Sequence, residues 1–116
     1  MKLIYIAAPY TSQCDERTAL NVQVARHMGC LVAELGASPL MPTVNSAGFH
    51  ILSRQNEWEF WMEATSKQLS VCDAAIFCQG WEHSVGCGEE LKQAEKEGKP
   101  VFFDILGLHE WLKGGE

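Results

Sequence analysis

The stretch AAIFCQGWEHSVGCGEELKQAEKEGKPVFFDI, residues 74–105, decides the fold. It opens on an apolar run, residues 74–78, and closes on a second apolar segment, residues 101–105. Continuous rather than alternating apolar runs suit strands buried on both faces, as in a parallel sheet. Between the runs lie a loop rich in glycine and then Cys87, Leu91, Ala94 and Gly98 at spacings of three or four, the stripe of one helix face. The stretch therefore reads as strand, loop, helix over residues 86–98, and strand, with Lys99-Pro100 leading into the last element.

The same grammar extends towards the N-terminus. Residues 3–8 form another apolar run, read as a first strand. Residues 16–35 read as a helix with Leu20, Val24, Met28, Leu31 and Leu35 on one face, stopped by Gly36. Residues 37–41 form a second strand closed by Pro42, and residues 43–56 a long loop. Residues 57–71 form a second helix whose shared face carries Trp58, Trp61, Met62, Thr65 and Leu69, with Cys72 following; a short helix over 109–113 ends the pattern. Strands that alternate with helices imply one parallel sheet of four to five strands with helices on its faces, a single domain over residues 1–116. Ligands of such sheets sit beyond the carboxyl ends of the strands, at a topological switch point. The candidate loops are APYTSQ (8–13), MPTVNS (41–46) and QGWEHSVG (79–86).

Charge narrows the function. A formal net charge of -6 argues against a nonspecific nucleic-acid binder, which needs basic residues to replace phosphate counterions. A single phosphate is still within reach of a few backbone N–H groups at a helix start. Five cysteines, at 14, 30, 72, 78 and 87, are odd in number and form no C-x-x-C pair, so they read as reduced, buried side chains of a cytoplasmic protein with no metal and no cofactor. The apolar run near the N-terminus is too short to cross a membrane, and no basic region or cleavage site marks it as a signal peptide.

The helix over 86–98 separates two neighbouring glutamates. Glu90 lies three residues after Cys87 and four before Ala94, on the inward stripe. Glu89 is rotated by about 100° and joins Gln93, Lys96 and Glu97 on the wet face. A carboxylate near a helix start also suits the helix dipole, and a buried one can simply accept backbone N–H groups. Around Glu90, however, Gly86 and Gly88 remove side chains, and Ser84 offers a hydroxyl either as a helix cap or as an anion ligand. A carboxylate in a tight pocket can attack an anomeric carbon and form a glycosyl ester that water or another acceptor resolves.

IYIAAPY, CDAAIF and GWEHSVGCGEELKQAEKEGKPV together resemble the nucleoside 2-deoxyribosyltransferase-like superfamily. The match is closest to its small members, the 2'-deoxynucleoside 5'-phosphate N-hydrolases and related bacterial and phage proteins. The resemblance implies a flavodoxin-like/Rossmann-like three-layer α/β sandwich and cleavage or exchange of an N-glycosidic bond. It implies that Glu90 is the nucleophile, and that Tyr5 and Asp73 are catalytic. It further implies that Ser84, with Gly86, holds a 5'-phosphate, and that Pro9, Tyr10 and Thr11, with Ala8, form the first substrate-binding loop. Gly88 and Trp81 complete the expected substrate contacts, Trp81 by stacking on a base or by packing under its loop. Serine rather than aspartate at position 84 favours a phosphorylated substrate, because a carboxylate there would repel the anion. Many members carry an aspartate in the second helix; this chain has Met62, Glu63, Ala64 and Thr65 in that region. His83, His50 and Arg17 are further candidates for phosphate or base contacts, each equally readable as a surface residue. The expected partner is a small nucleotide or nucleoside, with no nucleic acid or membrane, in a homodimer or higher homo-oligomer whose neighbouring subunit completes the pocket. The competing reading is a module that binds a nucleotide or an ADP-ribose-like ligand without turning it over.

Overall fold

A computed structural model describes residues 1–9, 15–45 and 58–114. Tyr10, Thr11 and His50 lie outside the described residues. The elements are β1 (Leu3–Ala7), α1 (Asp15–Glu34), β2 (Ser38–Leu40), the single turn α2 (Pro42–Asn45), α3 (Trp58–Ser70), β3 (Ala74–Phe77), a 3₁₀ turn (Trp81–His83), α4 (Val85–Lys96), β4 (Val101–Phe102) and α5 (Ile105–Gly114). Four strands pair in the order β2-β1-β3-β4, all parallel. The architecture is the expected α/β sandwich.

β1 is central, and Tyr5 on it pairs with Leu40 on one side and Ala75 on the other. Because side chains alternate along a strand, the sheet divides the core in two. Ile4, Ile6 and Ile76 face α1 and α5, whose Ala25, Val32 and Leu108 cover them. Tyr5, Ala7, Ala75 and Phe77 face α3 and α4, whose Leu69, Cys87 and Ala94 cover them. All of these are almost wholly buried, and each large one contributes about 2 kcal/mol by leaving water.

Three expectations need correction. The stripe of α1 is rotated in part: Ala25, Gly29 and Val32 are buried, and Met28 and Leu35 pack against the same core, whereas Leu20 and Val24 are exposed. Small residues win that face because a Cβ on Gly29 would stand 2.2 Å from the Met41 sulfur, so helix and strand end meet at close range. The last helix begins at Ile105 rather than 109, because Asp104 caps it: Gly107 N–H donates to Asp104 Oδ1 at 2.8 Å. That cap shortens β4 to two residues. Finally, Cys30 is exposed, while Cys72, Cys78 and Cys87 are buried as expected.

Helix α4 is held at both ends. Ser84 is its N-cap, accepting from Cys87 N–H at 3.2 Å. Gly98, at φ 72°, turns the chain out of the helix in a conformation that costs glycine nothing. Lys99 then reaches back and donates to the carbonyls of Ser70 at 3.1 Å and Cys72 at 2.7 Å, groups left without partners where α3 ends. No helix among the described residues is long and apolar enough to cross a membrane.

Candidate functional site

β1 connects outward to β2, and β3 outward to β4, so the strand order reverses between β1 and β3. In this architecture the general ligand position is the crevice at such a reversal, between the loops that follow these two strands. The two loops approach each other closely: a Cβ on Gly80 would lie 3.6 Å from the Pro9 ring. Gly80 itself turns at φ 93°, which a larger residue adopts only under strain. Thr43, buried in α2, donates to the Ala8 carbonyl at 3.3 Å and fixes the start of the first loop.

Below this crevice the structure joins Tyr5 and Glu90. The Tyr5 hydroxyl donates to Glu90 Oε2 across 85 positions of sequence. Tyr5 is fully buried and Glu90 partly so, while Glu89 is exposed and makes a surface ion pair with Lys92 at 3.5 Å. The helical period thus assigned the two glutamates to the faces they occupy. Burial pushes the Glu90 carboxyl up to about 7, against the smaller opposing effect of the Tyr5 hydrogen bond. Burial and the Glu90 charge push the Tyr5 phenol up as well, so it remains a proton donor. A carboxyl poised near neutrality and oriented by a phenol suits a nucleophile or a general acid–base group.

The start of α4 forms the rim above Glu90. Six residues separate Ser84 from Glu90, about 9 Å of helical rise. Ser84 Oγ spends a lone pair on the Cys87 N–H, and the Ser84 carbonyl accepts from Gly88 N–H at 3.0 Å. No described group accepts from the N–H of Val85 or Gly86. Helix starts with such N–H donors are, in general, places that can hold an anion. Gly88 faces open space, and a Cβ on Gly86 would be 3.7 Å from the Trp58 ring. Trp58, assigned from its spacing to a shared helix face, is 55% exposed and reaches across from the first residue of α3 to this rim. Only its position at a helix start, beside the carboxyl ends of the strands, distinguishes it from a core aromatic in the sequence.

Other expected residues stand elsewhere. Asp73 is exposed and accepts from Leu3 N–H at 2.7 Å, at the N-terminal edge of the sheet and away from the crevice. It is not brought to Glu90, because it precedes β3 whereas the crevice lies beyond the strand's other end. Trp81 packs edge-on against Phe77 at 5.8 Å between ring centres and lies against Phe103 at 5.1 Å. Its ring therefore covers the β3–β4 side of the sheet rather than β1. His83 and Arg17 are exposed. Glu63, the acidic residue of the second helix, lines an outer groove of about 490 Å³ with Phe60, Lys67 and Gln93, on the far side of α3 from Tyr5. Thr65, two residues further along α3, bonds through its hydroxyl the carbonyls of Trp61 at 2.9 Å and Met62 at 3.3 Å. No group of three or more His, Cys, Asp or Glu among the described residues could hold a metal ion.

The fold has solved counterparts. A 2-deoxyribosyltransferase from Bacillus psychrosaccharolyticus, described as a biocatalyst for nucleoside synthesis, superposes with a TM-score of 0.63 at 17% identity over 85% of this chain and 69% of its own. A 2-deoxyribosyltransferase from Leishmania mexicana superposes with a TM-score of 0.59 at 25% identity over 87% of this chain. This chain spans 62% of the Leishmania protein's length. By sequence alone it matches no curated protein. The chain has the nucleoside 2-deoxyribosyltransferase-like fold. A family model described as a domain of unknown function, DUF1937, matches residues 2–104, and the chain belongs to that family.

Proposed function

We propose that the protein cleaves or transfers at the N-glycosidic bond of a nucleoside 5'-monophosphate, with Glu90 as nucleophile. The observation that carries this reading is the Tyr5–Glu90 hydrogen bond, which places a partly buried carboxyl of raised pKa beneath the switch-point crevice. A Glu90 oxygen attacks the anomeric carbon as the bond to the base breaks, and the base leaves with the bonding electrons and takes up a proton. Water, or a second base, then attacks the anomeric carbon and releases the Glu90 carboxylate. In the first step Tyr5 holds the oxygen that does not attack. As the carboxylate loses its charge to the ester, that hydrogen bond weakens, so Tyr5 orients the nucleophile at some cost to its reactivity.

The free N–H groups of Val85 and Gly86 and the Ser84 hydroxyl support the choice of a 5'-phosphate. They also support a place near the phosphate-directed hydrolase branch of the superfamily. Trp58 offers an aromatic face on the same rim.

Incubation with a panel of 2'-deoxynucleoside and ribonucleoside monophosphates, with and without an acceptor base, tests the reading by chromatography of released or exchanged base. Glu90→Ala should lose roughly a thousandfold or more in rate, and Glu89→Ala should stay within about twofold. Equal losses in the two variants, or tight binding with no turnover by the parent protein, would sink it; the latter result marks a binding module.

A further inference from the structure

Helix α1 carries an apolar row that the fold leaves outside. Leu20 is 56% exposed and Val24 42%, and Leu31, half-buried, belongs to neither core cluster. The close approach of Gly29 to Met41 holds the helix in this rotation. With the exposed Arg17, His27 and Glu34, these residues form one line at steps of three and four: 17, 20, 24, 27, 31 and 34. That spacing is the seam along which a second helix packs. The line is also matched to itself. Reflected about a point between Ala25 and Arg26, Arg17 falls on Glu34, Leu20 on Leu31 and Val24 on His27. The charges oppose the dipole of an isolated helix: Arg17 lies in the first turn of α1, and Glu34 is its last residue. Neither has an ion-pair partner among the described residues. An antiparallel copy of α1 would supply both partners, and would bring Arg17 to the negative end of the neighbouring helix and Glu34 to the positive end.

We propose that α1 docks a second copy of this chain, antiparallel and two-fold symmetric, through Leu20, Val24, His27 and Leu31, with an Arg17–Glu34 ion pair closing each end. In a two-fold contact every pairing occurs twice, so one self-matched line on one helix suffices. Leu20 packs on the partner's Leu31, and Val24 on the partner's His27. The seam is about 26 Å long and one helix wide, which places the pairing at the weak end of specific interfaces. Helix α1 covers the Ile4 and Ile76 face of the sheet, whereas α3 and α4 cover the Tyr5 face. The pairing is therefore independent of the chemistry of Glu90, and it leaves the crevice rim to a separate contact.

The experiment is sedimentation velocity of the full chain across the micromolar range, at low ionic strength so that the end charges are not screened. The parent should self-associate. Leu20→Glu sets a carboxylate against the partner's Leu31 with nothing to pair it. It should weaken association at least about tenfold and halve the mass seen at equal concentration. Arg17→Glu and Glu34→Arg each bring like charges together at both ends of the seam and should weaken it too. The double variant Arg17→Glu/Glu34→Arg restores opposite charges and should return the parent mass. All of these positions are exposed, and both charge changes suit the dipole of α1, so the variants should fold, which circular dichroism checks. A parent that stays monomeric throughout overturns the proposal. An unchanged mass in Leu20→Glu also overturns it and assigns the assembly to another surface. A double variant that associates no more tightly than the single ones overturns the antiparallel pairing.

Discussion

At the scale of single residues, Glu90 sets two opposed pH dependences. A carboxyl raised from 4.5 to about 7 by burial binds its proton more tightly in the folded chain than in the unfolded one. Folding then favours the protonated form, so the stability contribution is full below about 4.5 and is lost as pH rises through about 7. At 1.36 kcal/mol per pH unit the loss is about 3 kcal/mol in all. Glu90→Gln, which has no proton to lose, should match the parent in melting temperature near pH 4.5 and exceed it by several degrees at pH 8. A constant difference across that window would refute the burial argument. Activity runs the other way, because the attacking carboxylate must be ionised: kcat/KM should climb with pH and level off above about 7. Tyr5→Phe removes the stabilising hydrogen bond and should move that limb to higher pH. Glu90's face was legible because a helix repeats every 3.6 residues, so Cys87, Leu91 and Ala94 define it. Its partner came from the family resemblance alone: Tyr5 is 85 positions away, and no local period encodes a contact between separate elements. Asp73 stands away from Glu90, and proximity in sequence to β3 does not say which end of the strand a residue serves.

Among the elements, α4 carries both fold and site, and its caps separate the two roles. Ser84→Ala removes the side-chain acceptor of Cys87 N–H and should cost about 1 kcal/mol of stability in urea titrations. Ser84→Asp keeps an acceptor and complements the helix dipole, so its stability should hold or rise. The same carboxylate should repel a 5'-phosphate: KM for nucleoside monophosphates should rise at least tenfold, a shift of about 1.4 kcal/mol, while a free nucleoside is spared. Equal effects on both substrate types would remove the phosphate from this rim. At the other end of the helix, Lys99 ties α4 to the end of α3 through two carbonyls. Its largely buried ammonium makes Lys99→Met cost roughly 2 kcal/mol, as charged hydrogen bonds do, measured by the same titration. Element types and order were readable because apolar runs and helical stripes differ in period. Boundaries failed where one polar side chain decided them: Asp104 starts α5 four residues before its expected first residue. On α1, Ala25 and Gly29 are buried beside Met28 and Leu35 because the helix and Met41 meet at close range, while Leu20 and Val24 are left outside.

For the molecule as a whole, the described part builds an inner site but leaves a wide rim. Trp58 is 55% exposed, Val85 73% and Phe103 52%, all at the end of the sheet where the crevice opens. A second copy of the chain is the economical way to cover such a rim, and we expect a homodimer or higher homo-oligomer. The consequence is thermodynamic: if unfolding separates two chains, raising the protein concentration a hundredfold stabilises the folded state by about 2.7 kcal/mol. With a urea dependence of about 2 kcal/mol per molar for each chain, hence about 4 for a dimer that unfolds to two chains, the unfolding midpoint should rise by roughly 0.7 M between about 1 and 100 µM protein, concentrations chosen for that hundredfold span. Circular dichroism read in cells of different path length follows both ends of the range. A midpoint independent of concentration would show a chain that folds alone, and the rim would then have to be closed by the substrate itself.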